Sequence, residues 1–453
     1  MAGCEAGDGA NARMASLAAA LVLAGAAVLA AAPKPDFRAG VAKLEITPKE
    51  PVWMSGYAAR TKPSDGALHP LWAKALALED RKGYRVVIIT TDLIGLPRVI
   101  TDEVSARLEK EHSLRRAQIL FNASHTHTGP VVRPNLMTMY FLDAAQKQRV
   151  EDYARKLTDD LFQVAAASLG DLSAARVRWG EGTAGFGSNR RTPRGPVDHA
   201  VPVVEVTGLD GKRRAILFGY ACHNTTHVAE DVKLSGDYAG FAQIEVEKRY
   251  PGATALFVAL CGGDQNPKPR GKNEYAQEHG VSLGEAVGKV LEGQMVEAQA
   301  PLKSAYRTID LAFALHTREQ FEQEAKSEDR FKASRAREML AAYDAGRPVR
   351  STPYPIQAIR FGKQFTLLAL GGEVVVDYSH RVKRHFNTEK LIVAGYSNDV
   401  MCYIPSYRIL KEGGYEGLTS MIYYGQPGPF AEDVEDRIWE ALRGVLKRVG
   451  AKE

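Results

Sequence analysis

The sequence predicts an α/β protein in which mixed, layered sheets are flanked by helices and a functional site lies on loops at the strand ends. Short apolar runs typical of buried strands alternate along the chain with longer stretches of helical spacing. Several apolar runs end in His, Asp, Glu or Asn beside a glycine. Of the 453 residues, 45% are hydrophobic and 25% charged, an ordinary globular composition. We therefore expect one large domain with its own core.

The individual elements follow from these patterns in chain order. The predicted strands are FRAGVAKLEITP, RVVIITTDLIGLP, AQILFNAS, AVPVVEVTGL, RRAILFGYACH, ATALFVALCGG, QFTLLALGGEVVV and KLIVAGYSND. The predicted helices are residues 99–112, AQKQRVEDYARKLTDDLFQVAAASLG and GFAQIEVEKRYPG. Residues 52–72, rich in Gly, Pro and aromatic side chains, predict a loop. The highly charged segment at about 315–345 predicts a solvated helix or a helical pair.

The N-terminal segment differs from the rest in composition. Residues 14–32 are apolar and Ala-rich, follow Arg13 and end in small residues. This pattern predicts a signal peptide over residues 1–32, with Met14 as an alternative start, and export to the periplasm or the medium. A membrane anchor is the alternative, but Ala adds little hydrophobicity and the small-residue end favours cleavage. Residues 33–453 then form the mature domain.

The charge pattern restricts the partners. The formal net charge is +5, from 59 basic and 54 acidic side chains scattered along the chain. No block of Lys and Arg resembles a site that follows a phosphate backbone, so we expect no nucleic-acid partner. The sequence does not indicate an oligomeric state.

The segment FNASHTHTGP places two histidines two residues apart behind an apolar run. Residues i and i+2 of an extended strand point to the same face, so His125 and His127 would project together. This arrangement suits a metal ion, a proton relay or both. A strand-end histidine that is only hydrogen-bonded is the plainer alternative.

Four further segments end apolar runs with similar polar residues. They contain His223 and His227, Asp264, Glu373, and Tyr403 with Tyr407. Two imidazoles and a carboxylate that leave a position for water would make an open zinc site of the hydrolytic kind. The structural alternatives are a salt bridge for Glu373, a turn cap for Asp264 and core packing for Tyr403.

In order and approximate spacing, these segments resemble the catalytic domain of the neutral/alkaline ceramidases, zinc amidases that cleave the N-acyl bond of ceramide. The resemblance runs from AGVAKLEITP to YEGLTSMIYYGQ and covers nearly all of the predicted mature chain. It rests on HTHTGP, NRR, VPVVEV, the His of GYACH, LSGDYAG, GGDQNP, GGE and GYSND with the following Tyr.

The resemblance implies a role for each matching residue. The implied zinc ligands are His125, His223, Glu373 and Tyr403. The resemblance places His127 towards the substrate, Arg190 near the scissile group and Asp264 beside the metal-bound water. The chemistry of amide hydrolysis then makes His127 the proton donor to the leaving amine, Asp264 the acceptor of the water's proton and Arg190 a donor to the oxyanion. Asn266, which does not match the family, is a further candidate donor to the oxyanion. Arg191, next to Arg190, is interpreted as a surface base.

Two departures from the family pattern bear on the substrate. Where ceramidases have a serine after Gly-Asp and one further residue, this chain has Asn266, and we expect no Ig-like C-terminal domain. The sequence therefore predicts an exported zinc amidase acting on ceramide or a related N-acyl lipid, in transient contact with a membrane surface. The alternatives are a hydrolase of another N-acyl compound or an ester, and a binding protein that keeps the fold without turnover.

Overall fold

A computed structural model of the chain describes residues 35–453. The predicted signal peptide, residues 1–32, lies outside the described residues. Among the residues described, no helix is both long enough and apolar enough to cross a membrane.

The strands of the described residues are mostly short and buried. They are β1 (Phe37–Glu45), β2 (Trp72–Asp80), β3 (Arg85–Thr91), β4 (Ile119–Ala123), β5 (Ser173–Thr183), β6 (Gly187–Asn189), β7 (Ala200–Gly208), β8 (Arg213–Tyr220), β9 (Thr254–Ala259), β10 (Gln265–Pro267), β11 (Val296–Glu297), β12 (Leu302–Ala312), β13 (Ser351–Phe361), β14 (Phe365–Leu370), β15 (Glu373–Val374), β16 (Leu391–Ala394) and β17 (Tyr403–Ile404).

The α-helices fall between groups of strands. They are α1 (Arg98–His112), α2 (Ala144–Gly170), α3 (Asp237–Arg249), α4 (Asn273–Glu292), α5 (Arg318–Glu324), α6 (Arg330–Asp344), α7 (Val376–His385), α8 (Tyr407–Glu412), α9 (Gly414–Gly417) and α10 (Val434–Val449). The charged segment at about 315–345 thus contains two helices, α5 and α6.

Two large sheets form the centre of the described domain. The first has nine strands in the order β4-β3-β2-β1-β5-β7-β8-β9, with β11 paired to β5. Its pairs β3/β4 and β8/β9 are parallel, and the other pairs are antiparallel. The second sheet has the order β12-β13-β14-β16, with β14 and β16 parallel. Two two-stranded sheets, β10-β6 and β15-β17, lie beside the site described below.

The sheets and helices pack in four layers. One apolar cluster lies between the two large sheets and joins side chains such as Leu76 and Val86 to Phe361 and Leu367. On the outer face of the first sheet, α1 and α2 cover strands β1 to β4, and α3 and α4 cover β7 to β9. Helices α7 and α10 cover the outer face of the second sheet. Each sheet therefore buries both faces, which explains its long runs of apolar residues.

The predicted fold class is confirmed: the protein is a mixed α/β domain with several sheets and flanking helices. Each predicted strand and helix is present, although the ends differ by a few residues. The unpredicted elements are strands β2, β5, β6, β10, β11, β12, β13 and β17 and helices α4, α7, α8, α9 and α10.

The side chain of Asn122 joins three strands at their carboxyl ends. From β4, its Oδ1 accepts a hydrogen bond from the Ala259 amide of β9 at 2.8 Å, and its Nδ2 donates to the Ala259 carbonyl at 3.3 Å. The same Nδ2 also lies 2.8 Å from the carbonyl of Gly395, just beyond β16. One buried carboxamide thus links the two edge strands of the first sheet to the second sheet.

The contact between β1 and the end of α2 requires a glycine, which gives a stability prediction. A Cβ atom at Gly40 would lie 2.0 Å from the carbonyl oxygen of Ser168, so Gly40→Ala forces backbone atoms apart. We expect the free energy of unfolding to fall by about 2–3 kcal/mol, measured by urea denaturation. The matched control is Gly170→Ala at the end of the same helix, where a Cβ meets no atom within 4 Å and stability should hold or rise. Equal stability of the two variants would contradict the packing argument.

Candidate metal centre and active site

The predicted site residues lie just beyond the carboxyl ends of strands from both large sheets. His125 follows β4, His223 follows β8 and Asp264 follows β9. From the second sheet, Glu373 follows β14 and the segment that leads to Tyr403 follows β16. The two sheets therefore supply the site jointly, as expected for ligand sites at strand ends.

The strand geometry predicted for His125 and His127 is wrong. Strand β4 ends at Ala123, and His125 has a φ of 64°, a left-handed conformation that no regular strand contains. The loop nevertheless brings the rings together, with centroids 4.8 Å apart and Nε2 atoms 3.1 Å apart. The two histidines meet because the backbone turns sharply between the strand and the Gly-Pro pair.

Main-chain carbonyl groups fix the tautomers of two histidines. Nδ1 of His125 lies 2.6 Å from the carbonyl oxygen of Ile94, and Nδ1 of His223 lies 2.9 Å from that of Gly262. Because a carbonyl oxygen only accepts, each Nδ1 carries the proton and each Nε2 has a free lone pair. This orientation of the outer nitrogen is typical of metal-ligating histidines.

Both lone pairs point at one carboxylate oxygen. Oε2 of Glu373 lies 2.9 Å from Nε2 of His125 and 2.9 Å from Nε2 of His223. This buried oxygen has no hydrogen-bond partner among the described residues, whereas Oε1 accepts a hydrogen bond from Tyr424. Two imidazole nitrogens and a carboxylate oxygen thus face one another at 2.9 Å, a donor set that fits a metal ion.

The charge states of these groups also fit a metal ion. Burial lowers the pKa of His223 to about 4, so its ring is neutral at neutral pH. Burial opposes the ionisation of Glu373, but the positive charge and hydrogen bonds that His125 and His223 supply when protonated hold its pKa well below the usual range. Neutral imidazoles and an ionised carboxylate are the forms that bind metals.

The two-stranded sheet β15-β17 brings Tyr403 into the site. The parallel pair β15-β17 places Glu373 directly opposite Tyr403. The Tyr403 hydroxyl lies 3.0 Å from Nε2 of His223, and its ring stacks on the His223 ring at 11°. All four predicted ligands are therefore brought together.

His127 belongs to the same cluster but is held differently. Its ring nitrogens lie with those of His125 and His223 within 4.8 Å, a group that could hold a metal ion. Its Nδ1, however, has no hydrogen-bond partner in the described part of the chain, so no carbonyl fixes its tautomer. The ring packs against Tyr57 and against Gly56, whose φ of 95° and missing Cβ allow the close approach. A ring with a free tautomer suits proton transfer better than metal binding.

Arg190 lies beside the cluster, and Arg191 lies behind it. Nη2 of Arg190 donates to the Tyr403 hydroxyl at 3.0 Å, and Nη1 is 3.4 Å from Nε2 of His223. The interpretation of Arg191 as a surface base is wrong, because 11% of its side chain is exposed and it forms ion pairs with Glu412 and Glu416.

Asp264 is fully buried, and both of its oxygens have partners. Oδ1 accepts a hydrogen bond from the Val376 amide at 2.8 Å, and Oδ2 accepts one from Nδ2 of Asn189 at 3.1 Å. Burial raises its pKa to about 6 despite the Val376 hydrogen bond. In this arrangement Asp264 holds the backbone segments that follow Glu373 and precede Arg190.

Asn266, in β10, is half-buried. Its Oδ1 accepts a hydrogen bond from the Thr225 hydroxyl at 3.3 Å. This contact leaves the two N–H groups of its amide available to another acceptor.

Some candidates lie outside the cluster, and some members were missed. Nδ1 of His227 lies 3.4 Å from Asp231, and Tyr407 is half exposed at the start of α8. Tyr424 and Glu416, which contact Glu373 and Arg190, were not predicted as site residues. The only signal in the sequence was the concentration of aromatic and acidic residues in GYEGLTSMIYYG.

The fold and the site define an α/β protein whose strand-end loops hold a buried histidine and carboxylate cluster able to bind a metal ion. Residues 37–311 match the family described as neutral/alkaline non-lysosomal ceramidase, N-terminal. The chain belongs to this family of hydrolases.

Two solved structures have a similar fold. The neutral ceramidase from Pseudomonas aeruginosa matches with a TM-score of 0.73 and 18% identity, over 92% of this chain and 75% of that chain. A ceramidase complexed with C2 matches with a TM-score of 0.74 and 17% identity, over 93% of this chain and 77% of the other.

A buried carboxyl group next to the site gives a pH prediction. Burial raises the pKa of Asp399 from 3.8 to about 7, and its backbone carbonyl accepts a hydrogen bond from Gly372, which precedes Glu373. The folded state therefore binds this proton more tightly than the unfolded state. The stabilisation of the folded state by the proton on Asp399 is complete below pH 3.8 and is lost as the pH rises through about 7.

We expect the free energy of unfolding of metal-free wild type to fall by roughly 2–3 kcal/mol more than that of Asp399→Asn between pH 5 and pH 8. The variant is the matched control because its amide does not ionise. Urea denaturation at both pH values measures the difference, and parallel pH profiles would refute it.

Proposed function

We propose that the protein is an exported zinc-dependent amidohydrolase that cleaves the N-acyl bond of ceramide or a related N-acyl lipid. Membership of the ceramidase family supports this reaction class. The observation that carries the proposal is the convergence of two imidazole lone pairs on the unpartnered carboxylate oxygen of Glu373.

Zinc fits the donor set. Histidine nitrogen and carboxylate oxygen are its usual ligands in catalytic sites. When bound by His125, His223, Glu373 and Tyr403, zinc would polarise the scissile carbonyl and lower the pKa of a water molecule.

The remaining polar groups of the cluster have roles in binding charge and moving protons. His127 would donate a proton to the leaving amine, which its unfixed tautomer permits. The guanidinium of Arg190 would stabilise the negative charge that develops on the carbonyl oxygen. The free N–H groups of Asn266 would add a second donor to that oxygen.

Asp264 is the proposed acceptor of a proton from the attacking water. With a pKa of about 6 it is mostly ionised at neutral pH. To act in this way, one of its oxygens must exchange its present donor, Val376 or Asn189, for the water. Otherwise Asp264 orients the loops around the site.

Export and membrane contact are parts of the same proposal. Export rests on the apolar stretch at residues 14–32, and N-terminal sequencing of protein recovered outside the cytoplasm tests it. Transient membrane contact is supported by exposed apolar side chains near the site, among them Tyr415 at 40% and Leu418 at 45%. A lipid substrate would be reached from such a surface.

The first test is hydrolysis. We expect purified protein to release the amine from a fluorescent ceramide or from a simpler N-acyl amine. A chelator should abolish the reaction and added zinc should restore it. His223→Ala should stay inactive with zinc, because it removes a nitrogen that faces Glu373, whereas His385→Ala, in an exposed histidine at the end of α7, should match wild type.

The substrate series separates the alternatives. Release of the amine only from simpler compounds, or cleavage of an ester alone, would move the substrate away from ceramide. No turnover of any acylated substrate by zinc-loaded protein would favour a binding protein, to which the replacement of the family serine by Asn266 also points.

The second test distinguishes the roles of His125 and His127. If only His125 binds zinc, His127→Ala should retain about one zinc per chain but lose turnover by roughly 10²-fold or more. His125→Ala should lose the zinc itself. Elemental analysis and initial rates measure both properties, and equal zinc loss in the two variants would show that both rings are ligands.

A further inference from the structure

We propose that Glu416 is a positioning residue that holds the Arg190 guanidinium in place for the reaction. Its carboxylate lies outside the predicted ligand set and accepts a hydrogen bond from Nε of the arginine, whereas the two Nη atoms contact the cluster. The inference rests on the proposed function, in which Arg190 stabilises the developing oxyanion.

The contacts of Arg190 leave its guanidinium little freedom. Nε donates to Oε1 of Glu416 at 2.7 Å, while Nη2 and Nη1 face Tyr403 and His223. The rings of Tyr403 and Tyr415 each lie 5.4 Å from the guanidinium carbon. Among residues 35–453, Glu416 is the carboxylate that forms an ion pair with this group, and its contact with Nε limits which edge of the guanidinium faces the site.

Electrostatics requires a partner for this arginine. Burial of an unpaired charge is very costly, and the side chain of Arg190 is only 19% exposed. A cation held by the histidine cluster would repel Arg190 in addition. The negative charge of Glu416 offsets both effects, and Arg190 in turn keeps the pKa of Glu416 below its usual value against the effect of burial.

Arg191 holds the carboxylate of Glu416 in position. The second oxygen of this carboxylate pairs with Nη1 of Arg191, and Nη2 of the same arginine donates to the carbonyl of Gly413 at 3.1 Å. Gly413 and Gly414 have φ values of 68° and 76°, which allow the sharp turn between α8 and α9. The short helix that carries Glu416 is thereby tied to the Asn189–Arg191 segment, so the carboxylate has a defined position.

The kinetic test is Glu416→Gln. The amide keeps the shape but removes the charge, and we expect kcat to fall by about 10- to 100-fold with KM within about threefold, because the affected contact acts on developing charge. Glu412→Gln is the matched control. Glu412 pairs with Arg191 and Arg408 but not with Arg190, so kcat should remain within about twofold of wild type.

A second readout does not depend on activity. In deuterated, zinc-supplemented protein, the ¹⁵N-resolved Nε–H signal of Arg190, assigned with Arg190→Lys, should exchange slowly with solvent. The signal should exchange at least about tenfold faster in Glu416→Gln and should be unchanged in Glu412→Gln. If Glu416→Gln fails to fold, exchange of the wild-type signal at the rate of free arginine would still overturn the positioning role.

The two proposals fail in different ways. A wild type that hydrolyses no acylated substrate refutes the proposed function, whereas the exchange measurement still reports on the Glu416 contact. Exchange of the Arg190 signal at the rate of free arginine, or a Glu416→Gln variant that matches Glu412→Gln in kcat and exchange, overturns the positioning role.

Discussion

The hydrogen bonds of the Asn122 carboxamide are the constraint on which the rest of the site depends. They join β4 to β9, although these strands lie at opposite ends of the first sheet's strand order, and join both to the segment after β16. The loops that follow these strands carry His125, Asp264 and Tyr403. A buried amide with all its partners is rigid, because any shift would leave polar groups unpaired in an apolar interior. The geometry of the histidine and carboxylate cluster therefore depends on strand pairing and not on the loops alone.

Much of the fold could be predicted because buried strands have a strong local signature. Helix α4 could not, since Gly280, Gly284 and Gly288 at every fourth position lower its helix propensity. The structure supplies the reason for the glycines: a Cβ at Gly280 would lie 2.4 Å from Phe241 of α3. The missing side chains let the two helices pack closely, and packing outweighs propensity. Such a contact between distant segments is not visible in local sequence patterns.

Site residues could be predicted from the sequence where they stand at the end of an apolar run. His223, Glu373 and Tyr403 all follow strands beside glycine or within a Gly-rich turn, and the family resemblance supplied their order. The left-handed backbone of His125 was not predictable, because the strand periodicity continues up to it in the sequence. The ion pair between Arg190 and Glu416 could not be predicted either, because the two residues are separated by 226 positions in the sequence. Long-range ion pairs depend on the assembled fold.

The acceptors that fix the tautomers of His125 and His223 are carbonyl oxygens of the main chain. A substitution at Ile94 changes a side chain but cannot delete the acceptor atom, whereas a Cβ at Gly262 would lie 2.5 Å from the backbone nitrogen of Cys222 and would shift the main chain beside His223. Substitutions around the site can therefore change its shape while the acceptor for the His125 ring stays in place. Glu416 and Tyr424, whose contacts come from side chains, have no such protection. Sequence divergence should accordingly alter the contacts of Glu416 and Tyr424 more readily than the orientation of the His125 ring.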